Sequence, residues 1–277
     1  MDEETKALVE QADQEFAALN DSLSLATLSY TRWGAGDTKA AGFSPDGAAQ
    51  QCLQLAYALC DAHAGETVAT YESASTQAFR GGRTETIRSA TAESAAFVKA
   101  ALEAMGKVGT AATTTAAATT ATQFTEKKEE LRLKFKTACE QHAAVAGAAA
   151  SGKGFDRHLY ALKSIAEESE REKATQQPPP PQPLFASKGY QLLSNNVLST
   201  STVSNPYTDQ TSFGPVVAHG YGVMYHIDPA EVRFCVTSYP GSPVPEGGQG
   251  KPSGTAKAFV NALEEAMDFC AGEFLGK

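Results

Sequence analysis

In its last third the chain reads LSTSTV, which places Ser199, Thr200 and Ser201 in succession at the end of an apolar run. Small hydroxyls at a strand end either face solvent or steady charge that develops in a reaction. Side chains alternate along a strand, so Ser199 and Ser201 share one face and Thr200 takes the other. Other groups able to do chemistry are sparse. Five histidines, His63, His142, His158, His219 and His226, could carry a proton near neutral pH. His219 alone lies near the hydroxyl triplet. The cysteines Cys52, Cys60, Cys139, Cys235 and Cys270 form no CxxC pair and sit in apolar periodic segments. They read as reduced core residues of an intracellular, reducing compartment. His and Cys at zinc-site spacing are missing, and no metal is expected.

The elements that must position these groups follow from hydrophobic spacing. Leu8, Val9, Ala12, Phe16 and Leu19 recur at helical intervals, predicting a helix from residue 3 to about 30. A Gly-rich loop follows and ends in SPD, a helix start with Ser44 as N-cap and Pro45 in the first turn. The helix it opens is apolar on most faces and should be buried. TVATYESAS leans toward a strand, RGGRTETIRSAT reads as a turn, and residues 92 to 105 read as a helix. Residues 108–124 form a low-complexity insert of Ala and Thr, expected to be a loop or a frayed helix end. Leu131, Phe135, Cys139 and His142 mark the stripe of the next helix, and GFDRHLYALK opens another, ended by QQPPPPQP. GYGVMYHI and EVRFCVTSY read as strands joined by the turn DPAE. Phe259, Leu263, Met267, Cys270 and Phe274 form the stripe of a final helix.

These elements predict a mixed α/β fold: a mixed β-sheet covered by several α-helices, with strands concentrated in the C-terminal third. One domain is expected over 1–277. Residues 1–175 should be mainly helical with a short strand near 67–75, and 176–277 strand-rich with the final helix. The 277 residues are 42% hydrophobic and 20% charged, ordinary for a globular chain. A net charge of −9 with dispersed Lys and Arg argues against a nucleic-acid partner, since phosphate contacts need a basic face. An anionic small molecule stays open. No apolar run is long enough for a membrane span.

The motifs FSPDGAAQQCLQLAY, TYESAS, GRTETIRSAT, GFDRHLYALK, LSTSTV and SFGPVVAHGYGVMYHI stand in this order between residues 43 and 227. Taken together they resemble the carnitine/choline acyltransferase family, and specifically its C-terminal portion. The resemblance implies a coenzyme A-dependent acyltransferase fold. It also implies transfer of an acyl group between coenzyme A and the hydroxyl of carnitine. Coenzyme A or acyl-coenzyme A would be a co-substrate, and no permanently bound cofactor is implied.

Such a transfer passes through a tetrahedral oxyanion, which needs a preorganised donor. The resemblance gives that role to Ser201, with Ser199 beside it. It assigns Tyr71, Thr84 and Arg157 to the carnitine carboxylate and Phe213 to the quaternary ammonium. Arg157 points to carnitine, because choline has no carboxylate and choline-specific relatives resemble FDNHL at this motif. Read without the family, Arg157 would be half of a surface ion pair with Asp156. Lys39 and Asp46 match coenzyme A-binding positions. Ala35 stands where a second lysine is usual, so weaker coenzyme A binding is expected. Thr211 occupies the position that sets acyl-pocket depth and leaves chain length open. Thr202 stands where glutamine is frequent, and His219 where aspartate is.

A base must take the proton of the attacking hydroxyl. The family draws its histidine from an N-terminal motif, and none of the five histidines here lies in one. The expectation is therefore a C-terminal half that is truncated, split, or completed by a separate N-terminal half. The rival expectation is a non-catalytic accessory relative in a larger assembly. A mitochondrial, peroxisomal or cytoplasmic location would suit either.

Overall fold

A computed structural model describes residues 1–60, 65–107, 121–173, 183–203, 207–246, 248 and 250–277. Strands from both ends of the chain build one six-stranded sheet. They are β1 (Ser24–Tyr30), β2 (Thr70–Ser75), β3 (Thr84–Ile87), β4 (Leu198–Thr202), β5 (Tyr221–Ile227) and β6 (Val232–Ser238), in the order β1-β6-β5-β4-β2-β3. β4 runs parallel to both β2 and β5, and the other three pairings are antiparallel. The mixed α/β architecture is thus the one the sequence implies, with β4, β5 and β6 in the C-terminal third.

Three local readings change. Helix α1 covers Glu3–Ser22, where Asp2 accepts the Thr5 N–H as N-cap. The segment expected to continue it is instead β1, because the seven residues of β6 offer a full antiparallel partner. The glycine-rich loop holds a short helix, α2 (Ala35–Ala40). The expected turn after β2 contains β3, which closes a hairpin with Ser73 opposite Thr86 and Ser75 opposite Thr84. Residues 108–120 of the low-complexity insert lie outside the described residues, as do 176–182 of the proline run. Pro183 begins the short helix α7 (Pro183–Ala186), followed by α8 (Lys188–Ser194).

Helix α3 (Pro45–Leu59) starts as its sequence dictates, with the Ser44 hydroxyl accepting the Gly47 N–H at 3.2 Å. It packs with α4 (Ala92–Ala104), α5 (Ala121–Ala150) and α9 (Ala256–Cys270), and these helices share one core with the sheet. Phe135 of α5 stacks on Phe274 at a centroid distance of 4.3 Å, with Phe43 and Phe97 at its edges. Each buried phenylalanine contributes on the order of 2–3 kcal/mol by leaving water. All five cysteines are buried and free of disulfides. No helix among the described residues is long and apolar enough to cross a membrane.

The strands bury one face deeply and leave the other polar. β2 alternates strictly: Thr70, Glu72 and Ala74 are buried, while Tyr71, Ser73 and Ser75 are half-buried or exposed. Helix α6 (Asp156–Lys173) starts beside β3, at the end of the sheet that carries β2. This polar face and the start of α6 define the candidate site.

Candidate functional site

Two adjacent parallel strands set the hydroxyls. Tyr71 of β2 lies opposite Ser199 of β4, and Glu72 opposite Thr200. One step further, the Ser73 and Ser201 hydroxyls share a hydrogen bond of 3.0 Å. Tyr71, Ser73, Ser199 and Ser201 therefore stand on one face. The Tyr71 and Ser201 Cα atoms are diagonal neighbours about 8 Å apart, from a rise of ~3.3 Å and a strand spacing of ~4.8 Å. Ser73 was not singled out in the sequence. Its place could have been read from the alternation of TYES, which puts it beside Tyr71.

Arg157 reaches this face from the first turn of α6. Its Nη2 donates to the Tyr71 hydroxyl at 3.1 Å and to the Thr84 hydroxyl at 3.3 Å. Its Nε donates to the Thr84 carbonyl, and the guanidinium lies 5.8 Å from the centre of the Tyr71 ring. The surface ion pair with Asp156 does not form. Asp156 instead takes a two-pronged bond from Arg88 at 2.5 and 2.6 Å. Among the described residues no carboxylate pairs with the Arg157 guanidinium. The result is an exposed cation ringed by hydroxyls, a receptor for a carboxylate. Gly154 makes the approach possible, because a Cβ there would collide with the side chain of Glu85 on β3. Glu85 in turn accepts the Arg157 backbone N–H at 3.2 Å.

The loop before β5 borders the same face. The Phe213 carbonyl accepts the Thr237 hydroxyl at 2.5 Å and lies 2.6 Å from where a Gly222 Cβ would be. Gly222 pairs with Ser199, so only glycine lets this loop cross the sheet there. Thr211 lines a small recess with Val203, Met224 and His226, and Met224 pairs with Ser201. The structure thus draws Tyr71, Thr84 and Arg157 to one point and sets Ser199 and Ser201 beside them. It brings the Phe213 backbone and Thr211 to within a strand or two.

The two coenzyme A candidates stand apart from this group. Lys39 is exposed on α2, and Asp46 turns its carboxylate toward the helix-covered side, where the Tyr225 hydroxyl donates to it at 2.5 Å. That underside holds a network the sequence did not announce. The Gln50 amide donates to Thr200 Oγ1 at 3.0 Å and to the Tyr225 hydroxyl at 3.1 Å. Glu72 accepts from Ser89 and contacts Tyr225, and His142 Nε2 lies 2.7 Å from its Oε2. Burial and the charge of Glu72 push the Asp46 carboxyl up to about 6, although the Tyr225 hydrogen bond pulls the other way. Burial alone would lower His142, but the hydrogen bond and charge of Glu72, with Asp46 behind, leave it raised. Burial and the same two carboxylates raise Tyr225, keeping it a neutral donor. Donor atoms of Asp46, Glu72 and His142 lie within 4.8 Å of one another, close enough for a cation. Hydrogen bonds already engage these atoms.

None of the described histidines is placed near Ser201, where a base for a bound hydroxyl would stand. The sheet separates His142 from it, and His158 is exposed on α6. His219 is buried next to Asn195, and His226 contacts the Val203 carbonyl at 2.8 Å and Asp228 at 3.2 Å. His63 lies outside the described residues. What the face can do is hold a small carboxylate against Arg157 and present hydroxyl donors to an atom bound nearby.

Comparison with known proteins points the same way. The family described as Choline/Carnitine o-acyltransferase matches residues 1–265. The human mitochondrial carnitine O-palmitoyltransferase 2 is 32% identical over 263 residues, covering 95% of this chain and 34% of its own length. Mouse carnitine O-acetyltransferase is 35% identical over 236 residues, covering 85% of this chain and 33% of its own. A putative mitochondrial carnitine O-acetyltransferase of Saccharomyces cerevisiae is 33% identical over 228 residues, 82% of this chain and 29% of its own. The chain spans about a third of the length of the curated relatives it matches.

Proposed function

Because the chain belongs to the choline/carnitine O-acyltransferase family, we propose that its polar sheet face is the carnitine-binding part of an acyl-transfer site. The observation that carries this is the junction of Tyr71, Thr84 and Arg157, which are far apart in sequence and meet at 3.1 and 3.3 Å. The guanidinium takes the carnitine carboxylate, and the two hydroxyls orient it. Carnitine then lies across β2 toward β4, where Ser201, held by Ser73, faces the carnitine oxygen. As that oxygen attacks a thioester, Ser201 donates to the oxyanion, a role typically worth about 10²–10³ in rate. Phe213 and its loop face the quaternary ammonium. Acyl-coenzyme A is the co-substrate, with Lys39 facing its phosphates, Asp46 at the start of the adjoining α3 and Thr211 in the acyl recess.

The proton acceptor is supplied from outside the described residues, by a histidine on a segment or chain that completes the site. On this reading, in which none of the five histidines lies in the family's histidine motif, the 277-residue chain by itself binds carnitine without turnover. Titration calorimetry tests this. Carnitine should bind measurably, choline much more weakly, and Arg157→Asn should abolish the preference. Equal affinity of the wild-type chain for carnitine and choline, or none for either, would refute the proposal.

A further inference from the structure

Ser199 and Ser201 face the site, but the middle residue of the triplet points the other way and is fully buried. Its hydroxyl is nonetheless engaged twice. Thr200 Oγ1 donates to the Tyr71 carbonyl at 2.9 Å and accepts from Gln50 Nε2 at 3.0 Å. It thus ties β4 to β2 at the residue that carries the clamp phenol, one step from the bonded Ser73–Ser201 pair. A β-branched side chain suits this, because threonine has few χ1 states and its oxygen stays where the carbonyl needs it. Gln50 cannot swing away: the same amide nitrogen also donates to Tyr225, which Asp46 and Glu72 hold. The anchor reaches from α3 through β4 to the backbone of Tyr71.

We infer that Thr200 is a positioning residue for the carnitine site, setting the offset between Tyr71 on β2 and Ser201 on β4 without touching the ligand. This rests on the proposed function for its binding readout, so the test has a second arm that needs no ligand. Thr200→Val keeps the shape and removes the hydroxyl; Thr200→Ser restores it. The 277-residue chain and both variants are measured for carnitine affinity by calorimetry and for amide hydrogen exchange. The valine variant loses both hydrogen bonds of the hydroxyl, leaving the Tyr71 carbonyl and the Gln50 amide each one partner short, and should bind carnitine about tenfold more weakly. Exchange should quicken at Glu72 and Thr200 but not along the β5–β6 ladder. The serine variant should match the wild type in both. A role in bulk stability alone would speed all core amides together and would track the melting temperature. Thr200→Ala carries the same test if the valine variant does not fold. Unchanged affinity and unchanged local exchange in the hydroxyl-free variant would overturn the inference. If the wild-type chain binds no carnitine, the functional proposal fails and the exchange arm alone decides the role of Thr200.

Discussion

Replacing Asp46 by asparagine should stabilise the chain at neutral pH. Its carboxyl sits beneath the sheet with Glu72 close by, and burial and that charge raise it from 3.8 to about 6. The folded state therefore binds the Asp46 proton more tightly than the unfolded state does. Stability falls as pH climbs from about 4 to about 6, and the loss then stays constant. A difference of about two pH units corresponds to roughly 3 kcal/mol, the ceiling on what ionised Asp46 costs at pH 7. Asparagine cannot ionise, and its carbonyl still accepts the Tyr225 hydroxyl. The assay is urea unfolding of both proteins between pH 3.5 and 8. Their stability difference should be near zero at pH 3.5 and reach about 2–3 kcal/mol by pH 7, with a melting point raised by roughly 5 to 10 °C. Comparing the pair cancels the exposed acids, whose ionisation is common to both. An asparagine variant less stable than wild type at pH 7, or a difference that does not change with pH, would show that ionised Asp46 carries no such cost.

Other outcomes follow from particular contacts. Gly154→Ala should weaken carnitine binding several-fold by pushing α6 off Glu85, whereas Gly189→Ala, with open space around it, should leave calorimetry unchanged. Asp156→Ala leaves Arg88, at 14% side-chain exposure, without its ion pair. It should lower both the melting temperature and the carnitine affinity, since α6 then loses its tie to the residue after β3. Phe135→Ala should cost about 3–5 kcal/mol in urea unfolding, because the ring is 1% exposed and packed against three other phenylalanines. Carnitine affinity should fall as salt rises from 0.05 to 0.5 M, because Arg157 is exposed and its attraction is screened over ~10 Å at 0.1 M.

Much of the site was legible because local rules and motif order agree there. Ser44 and Pro45 start α3 as written, and the stripes through Phe135 and Phe259 face the core. Tyr71, Thr84 and Arg157 belong to three quoted motifs, and the fold joins them. Local spacing extends the helix of α1 through residues 24–30, while the real determinant of β1, pairing with β6, lies over 200 residues away. β3 is four residues long and hidden among turn-forming glycines and arginines. The partner of Asp156 could not be read locally either: the adjacent Arg157 looks the natural choice, but Arg88 wins through the hairpin. The underside network joins Asp46, Gln50, Glu72, His142, Thr200 and Tyr225 from five elements, and sequence spacing links only Asp46 and Gln50, one turn apart on α3. His142 looked like one more stripe residue because Glu72, its partner, is visible only after folding. The apolar residues whose spacing predicts α1 form its helix, yet Leu8, Val9, Phe16 and Leu19 stay exposed among the described residues.

A crystal of the 277-residue chain soaked with carnitine would show where the ligand's carboxylate and hydroxyl lie. The carboxylate should lie within hydrogen-bond reach of Arg157 and Tyr71, and the hydroxyl about 3 Å from Ser201 Oγ. Carnitine bound away from this face, or a clamp still empty at saturating ligand, would contradict that placement.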